Sequence, residues 1–284
     1  MSITRFRPEI WSANLLVALR KALVYGSPMV VNRDYEGEIA EAGDTVRITS
    51  ISRPTIGTYV PNVTTISFPE LTDAQRTMVI DQAKFFSFSV DDVDQRQAKG
   101  NVLPQAASES AFALADVIDQ YLASFYTSVQ TANQIGSLTV NSATTPTDAY
   151  DKVLVPLKIK LDLANVPTQG RYAVLRPELH GCLLRDARFI KVNESGTEDG
   201  LRNGHVGRAA GFDIMLSNNA PNTTASEYVV QAGSNMAVSY AEQINKVEAL
   251  RPQSSFSDAL KGLALYGAKM VRPDAVATAL VTVS

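Results

Sequence analysis

Phe85-Phe-Ser-Phe-Ser-Val-Asp-Asp-Val-Asp94 alternates apolar and polar side chains from Phe86 to Val90, the period-two pattern of a strand with one covered face. Upstream, Thr45-Val46-Arg47-Ile48-Thr49 alternates in the same way. The two stretches bracket a long excursion. Residues 53–75 hold Pro54, Pro61 and Pro69 among scattered Thr, Ser and Asn, with too few apolar side chains for a core of their own. An isolated two-stranded ribbon of this length is marginal in water, so something outside it has to cover its apolar face. The expectation is a protruding arm that needs a neighbour.

Before the ribbon, Pro8 stands where a first helical residue tolerates it, and Trp11, Leu15, Leu16, Leu19 and Leu23 follow at helical spacing. This predicts an amphipathic helix of about four turns. Residues 1–33 carry Arg5, Arg7, Arg20, Lys21 and Arg33 against Glu9, a net +4 and the one basic segment of the chain. It is read first as a solvated face, with contact to an acidic partner as the alternative.

After the ribbon, residues 103–129 are helical in period, with Leu114, Ile118, Leu122, Phe125 and Val129 on one stripe and alanines supporting propensity. A helix of that span would reach roughly 40 Å, the length of a strut. Residues 133–146 read as a loop or hairpin. Tyr150, Val153, Leu154, Leu157 and Leu161 then mark a helix that Pro156 kinks or delays. A strand over Arg171–Leu175 precedes a helix opened by Pro177 with Leu179, Leu183 and Leu184. Residues 196–211 are glycine-rich and read as a mobile loop. Strands follow at Phe212–Leu216, at residues 228–231 and 263–266, and at Val276–Val283. This alternation marks a second, α/β-like part of the chain.

Composition excludes whole classes. At about 150 residues per domain, 284 residues make one large domain or two modest ones. Apolar residues at 45% and charged residues at 19% rule out a disordered or collagen-like chain. A net charge of −3 supplies no global field for nucleic acid or anionic lipid. The single cysteine, Cys182, excludes an internal disulfide and zinc sites built on several thiolates. No secretory leader and no apolar run of about 18 residues is expected, so no membrane partner.

A catalytic constellation is not apparent. His180 and Cys182, two apart, project from different sides of the expected helix. His205 has no carboxylate partner nearby in sequence. Asp91, Asp92 and Asp94 lack the spacing, central Gly and closing Glu of a calcium loop and read better as a strand-end turn or cap. Gly204, Gly207 and Gly211 match neither the phosphate loop nor the dinucleotide fingerprint. Phe85, Phe86 and Phe88 have only Lys84 beside them, which suits core or interface packing better than base stacking. No enzyme, cofactor or metal is expected.

Taken in order, several segments resemble the major capsid protein of tailed bacteriophages, with the fold associated with phage Hong Kong 97. They are Phe6-Arg-Pro-Glu-Ile-Trp-Ser-Ala-Asn-Leu-Leu16, Asp34-Tyr-Glu-Gly-Glu-Ile39 before Gly43-Asp-Thr-Val-Arg-Ile48, Phe85 to Asp94, Arg171-Tyr-Ala-Val-Leu-Arg-Pro-Glu-Leu179, and Gly204-His-Val-Gly-Arg-Ala-Ala-Gly-Phe-Asp-Ile214 leading to Ser217-Asn-Asn-Ala-Pro221. The resemblance implies an α+β fold with an N-terminal arm (1–33), an extended β-hairpin loop (34–90), a peripheral domain with a spine helix (91–145), an axial domain (146–249) and a C-terminal return to both domains (250–284). It implies self-assembly as pentamers and hexamers into an icosahedral shell, non-specific contact with packaged double-stranded DNA, a separate scaffolding protein and a portal. It also implies a place in the virion after assembly in the bacterial cytoplasm. No motif carries over the Lys–Asn cross-link of some relatives. The shell of a bacterial encapsulin-type nanocompartment is the alternative within the same fold, and a hydrolase using His205 or Cys182 the alternative outside it. The expected inter-subunit contacts are Trp11 and Leu15 in the N-terminal arm and Arg53, Pro54, Ile56, Tyr59 and Phe68 near the ribbon tip.

Overall fold

The computed structural model describes residues 24–34, 45–51, 56, 58, 61, 73–91, 102–186, 188, 207–224, 226–252 and 257–284. These residues build three sheets and three α-helices. β1 (Thr45–Ile51) pairs antiparallel with β2 (Asp73–Val79), running from Thr45 opposite Val79 to Ile51 opposite Asp73. β3 (Gln82–Asp91), β10 (Ser257–Met270) and β9 (Val238–Leu250) form a three-stranded antiparallel sheet in the order β3-β10-β9. The third sheet has the order β4-β11-β8-β5-β7-β6. Its strands are β4 (Gln134–Val140), β5 (Arg171–Leu175), β6 (Arg208–Ala209), β7 (Phe212–Leu216), β8 (Glu227–Ser234) and β11 (Val276–Val283). In it, β4 runs parallel to β11 and β5 parallel to β7.

The ribbon is real, but its pairing differs from the sequence expectation. The two alternating stretches at 45–49 and 86–90 do not pair with each other. β1 takes β2, which straddles the end of the expected excursion, and β3 crosses to β10. Alternation says which side chains share a face and nothing about the partner strand.

The strut is α1 (Val102–Ala123), with Pro104 in its first turn. Leu114, Ile118 and Leu122 lie on its buried stripe, as the spacing predicts. It stops short of Val129. Ser124–Ser128 tightens into a 3₁₀ turn, and the Ser124 and Thr127 hydroxyls donate to the Tyr121 and Ser124 carbonyls, so hydroxyl side chains compete for the backbone acceptors. At 22 residues α1 is about 33 Å long. The residues expected as a loop after it contain β4, a sheet-edge strand whose Gly136 and polar side chains hide the alternation.

Pro156 acts as expected. It has no N–H to give and its ring crowds the carbonyl four residues back, and the turn before it, Ala149–Leu154, widens to a π-helix before α2 (Val155–Leu163). α3 (Pro177–Arg185) starts on its proline. All five residues of β5 are buried. Leu157 and Leu161 of α2, Leu179 and Leu183 of α3, the stripe of α1, and Ala264, Tyr266 and Met270 of β10 join in one continuous core. The smaller sheet and the six-stranded sheet therefore share an interior.

Candidate assembly surfaces

The ribbon is rooted by five buried side chains, Ile48 of β1, Met78 of β2, Ile80, Ala241 of β9 and Leu265 of β10, which form a core cluster of their own. Gly267 lets the ribbon come close. A Cβ there would lie 2.5 Å from the Val79 carbonyl oxygen and 3.0 Å from Ile80 Cα. Arg76 Nη1 adds a bond to the Met270 carbonyl at 3.3 Å. Because the nearest obstructing atom is a backbone oxygen, Gly267→Ala is expected to cost about 2 kcal/mol in thermal unfolding. Unchanged stability would mean that the ribbon is not seated there.

Several large apolar side chains face outward. On β3, Phe85 is 77% exposed, although Phe86, its neighbour, lies over Gly262 of β10. Phe85 and Leu263 line a cleft of about 480 Å³ with Ser87, Gly262 and the Lys261–Glu248 ion pair, whose N–O distance is 2.8 Å. The outer side of α1 shows Phe112 and Val117, with Glu109 close by in the same stretch. On α2, Ile159 and Leu163 are one turn apart on the side opposite Leu157 and Leu161, and Leu163 is 75% exposed.

Where the chain leaves α3, Arg188 fastens it. Its guanidinium reaches both Asp186 oxygens and both Asp151 oxygens and lies over the Tyr150 ring, 4.9 Å from its centroid. Burial alone would push the fully covered Asp186 carboxyl upward, but the bonds from the Arg188 side chain and N–H outweigh it and hold the group below its ordinary value. The stability it contributes is thus present above the unfolded carboxylate range, near 4, and lost as pH falls through the lower folded value. Arg188→Ala is expected to cost about 1–2 kcal/mol at neutral pH, and urea unfolding should show that deficit shrinking below about pH 4. A deficit independent of pH would place the role of Arg188 in packing alone.

Of the side chains expected at contacts, Ile56 is described and is 95% exposed. Trp11, Leu15, Arg53, Pro54, Tyr59 and Phe68 lie outside the described residues, as do His205, Asp92 and Asp94. Cys182 is buried, its thiol donating to the Glu178 carbonyl at 3.4 Å, and burial pushes its pKa up, the wrong direction for a nucleophile. Among the described residues no group of three His, Cys, Asp or Glu side chains is placed to hold a metal ion, and no helix is long and apolar enough to cross a membrane. Ile159, Leu163 and Phe112 were not singled out in sequence. The signal was there for the first two, since they put apolar groups on the polar side of an amphipathic helix.

A family model described as phage capsid protein matches residues 72–279. No curated protein matches the chain. Among solved structures, one from Mycobacterium phage Che8 is 32% identical, covers 91% of this chain and 90% of its own, and superposes with a TM-score of 0.73. The capsid of cyanophage P-SCSP1u, at 17% identity and TM-score 0.72, covers 92% and 88%. The mature capsid of bacteriophage PhiM1, at 15% identity and TM-score 0.64, covers 84% and 82%. The α+β architecture is the Hong Kong 97 type capsid fold. With the family model spanning most of its length and a 32% identical structure covering 91% of it, the chain belongs to the phage capsid protein family.

Proposed function

We propose that the chain is the major capsid protein of a tailed phage and closes, through pentamers and hexamers, into an icosahedral shell around double-stranded DNA. The observation that carries this reading is the family match, and the ribbon explains how it works. β1 and β2 are rooted on the smaller sheet by Ile48, Met78 and Ile80, whereas Ile56 beyond them is bare. A copy can bury such a ribbon only on another copy, and a contact between two different patches repeats head to tail until a ring closes. The exposed groups of β3, α1 and α2 offer further cover.

The segments 1–33, 34–90, 91–145, 146–249 and 250–284 serve in this reading as N-terminal arm, extended loop, peripheral domain, axial domain and C-terminal return. Trp11, Leu15, Arg53, Pro54, Ile56, Tyr59 and Phe68 are the proposed contacts between copies. A separate scaffolding protein and a portal complete the set of partners, DNA contact is non-specific, assembly takes place in the host cytoplasm, and the role is structural rather than enzymatic. Nothing in the comparisons favours the compartment-shell alternative.

Electron microscopy of the purified protein, alone and from intact particles, tests this. Closed shells with five- and six-fold capsomers, holding DNA in the particles, are the expected result. A protein that never exceeds a few chains, or a shell that co-purifies with an enzyme in place of DNA, overturns it.

A further inference from the structure

Residues 24–34 form the root of the N-terminal arm and are held at both ends. At one end Asn32 donates its N–H to the Val238 carbonyl and accepts from the Tyr240 N–H, bridging to the outer strand β9. At the other end the holder is a single carboxylate. Asp119 of α1 is 2% exposed. Its Oδ1 accepts the Val24 N–H at 2.9 Å and the Tyr25 N–H at 2.6 Å. Its Oδ2 accepts Asn219 Nδ2 at 2.9 Å and faces the Ser217 hydroxyl at 3.5 Å. No ion pair reaches it among the described residues. Burial pushes its pKa up, the opposing hydrogen bonds from Asn219 and the two main-chain N–H groups notwithstanding.

Asn219 spends its donors at the same place. Its Nδ2 gives a second bond to Asp116 Oδ1 at 2.7 Å, and Asp116 Oδ2 accepts Gln120 Nε2 at 2.8 Å. Its own N–H is given to Ser217 Oγ at 3.1 Å, and the Ser217 N–H goes to the Leu175 carbonyl at the end of β5. The amide of Asn219 thus reads two carboxylates on α1 and can face them in only one orientation, nitrogen first.

We infer that Asp116, Asp119 and Asn219 are a latch whose donor–acceptor polarity fixes where the N-terminal arm leaves the subunit, at the seam between α1 and the six-stranded sheet, and that this latch opens without unfolding either sheet. Three segments far apart in sequence meet at one buried acceptor, and the arm's share of the bond is two main-chain N–H groups. The side chain of Tyr25 is buried beneath them with its hydroxyl unpaired. The other titratable groups that interact with it are Asp116 on the same helix and Tyr25 from the arm root. The inference goes beyond the capsid reading and does not need it.

Polarity can be inverted, and that gives a test that simple loss of a contact would not pass. In Asp119→Asn the new Nδ2 meets Asn219 Nδ2, two donors face to face, and turning the Asn219 amide over would set its oxygen against the Asp116 carboxylate. In the double variant Asp116→Asn with Asp119→Asn the amide of Asn219 can turn over, accept from both new amides, and leave the position 119 oxygen for the Val24 and Tyr25 N–H groups. Amide hydrogen exchange of the unassembled subunit reads this without reference to shell formation. At Val24 and Tyr25 the single variant is expected to exchange at least tenfold faster than wild type, and the double variant to return within about threefold, with the β8 amides constant throughout. Protection unaltered in Asp119→Asn, or a double variant no slower than the single one, overturns the latch. Should the variants not fold, wild type decides. The Val24 and Tyr25 amides should open at lower denaturant than those of β8, and exchange only together with β8 would overturn the proposal.

Discussion

Deleting residues 53–68 is expected to leave a subunit that folds as before and no longer forms shells. The register of the ribbon supports this directly. Ile51 stands opposite Asp73 at the last described pair, so the deletion leaves residue 52 and residues 69–72 to join the strands. A connection of about five residues is a common hairpin length. The root cluster of Ile48, Met78, Ile80, Ala241 and Leu265 lies wholly outside the deletion, as does the main core. The melting temperature should therefore hold within a few degrees, because both core clusters are left whole. Assembly, read by sedimentation and electron microscopy, should be lost altogether. Shells like those of the wild type would remove the ribbon from the mechanism. A deletion that melts far below wild type would mean that the excised residues pack on their own subunit.

Replacing Arg171 by Met should be the most costly single change in the six-stranded sheet. Arg171 opens β5, and its side chain is 2% exposed. Its Nε donates to the Pro167 carbonyl at 2.8 Å, one terminal nitrogen to the Val166 carbonyl at 2.6 Å and the other to Asp162 at 2.7 Å. These bonds close the turn between α2 and β5, where Asn165 and Gly170 take left-handed conformations at φ 57° and 68°. Met fills much of the volume but leaves the two carbonyls without a donor. The expected loss is about 3 kcal/mol, or a melting temperature lower by about 6–12 °C for a chain of this size. Asp162, at 44% exposed, can turn to water, so Asp162→Asn should cost under about 1 kcal/mol. Comparable losses in the two variants would show that the ion pair, and not the carbonyl clamp, holds the turn.

Much of the local structure was legible. The strands at Arg171–Leu175, Phe212–Leu216 and Val276–Val283 stand where alternation and β-branching put them. Pro177 opens α3, Pro156 disturbs the helix before α2, and the stripe Leu114, Ile118, Leu122 is buried. Four strands escaped. β2 and β4 carry too many polar side chains, β4 with a glycine as well, β6 is two residues inside a stretch read as a loop, and β9 holds Glu242, Lys246 and Glu248 along an outer edge. In each case the backbone is strand because a partner across the sheet pairs with it, which no short window can display. The same limit hid which apolar side chains stand exposed. Phe85 and Phe86 are identical in type and adjacent, yet one is open to solvent and the other lies over Gly262.

What the sequence by itself determined is the order and type of most elements. These follow from spacing and composition over a few residues, where backbone period and side-chain chemistry act alone. Tertiary structure alone decided that β1 pairs with β2 while β3 crosses to β10, that Gly267 seats the ribbon, and that Asp119 receives the Val24 N–H from 95 residues away. Such choices depend on which distant surfaces can be buried together and which buried acceptors find donors. That is a property of the whole packed chain and of no segment in it.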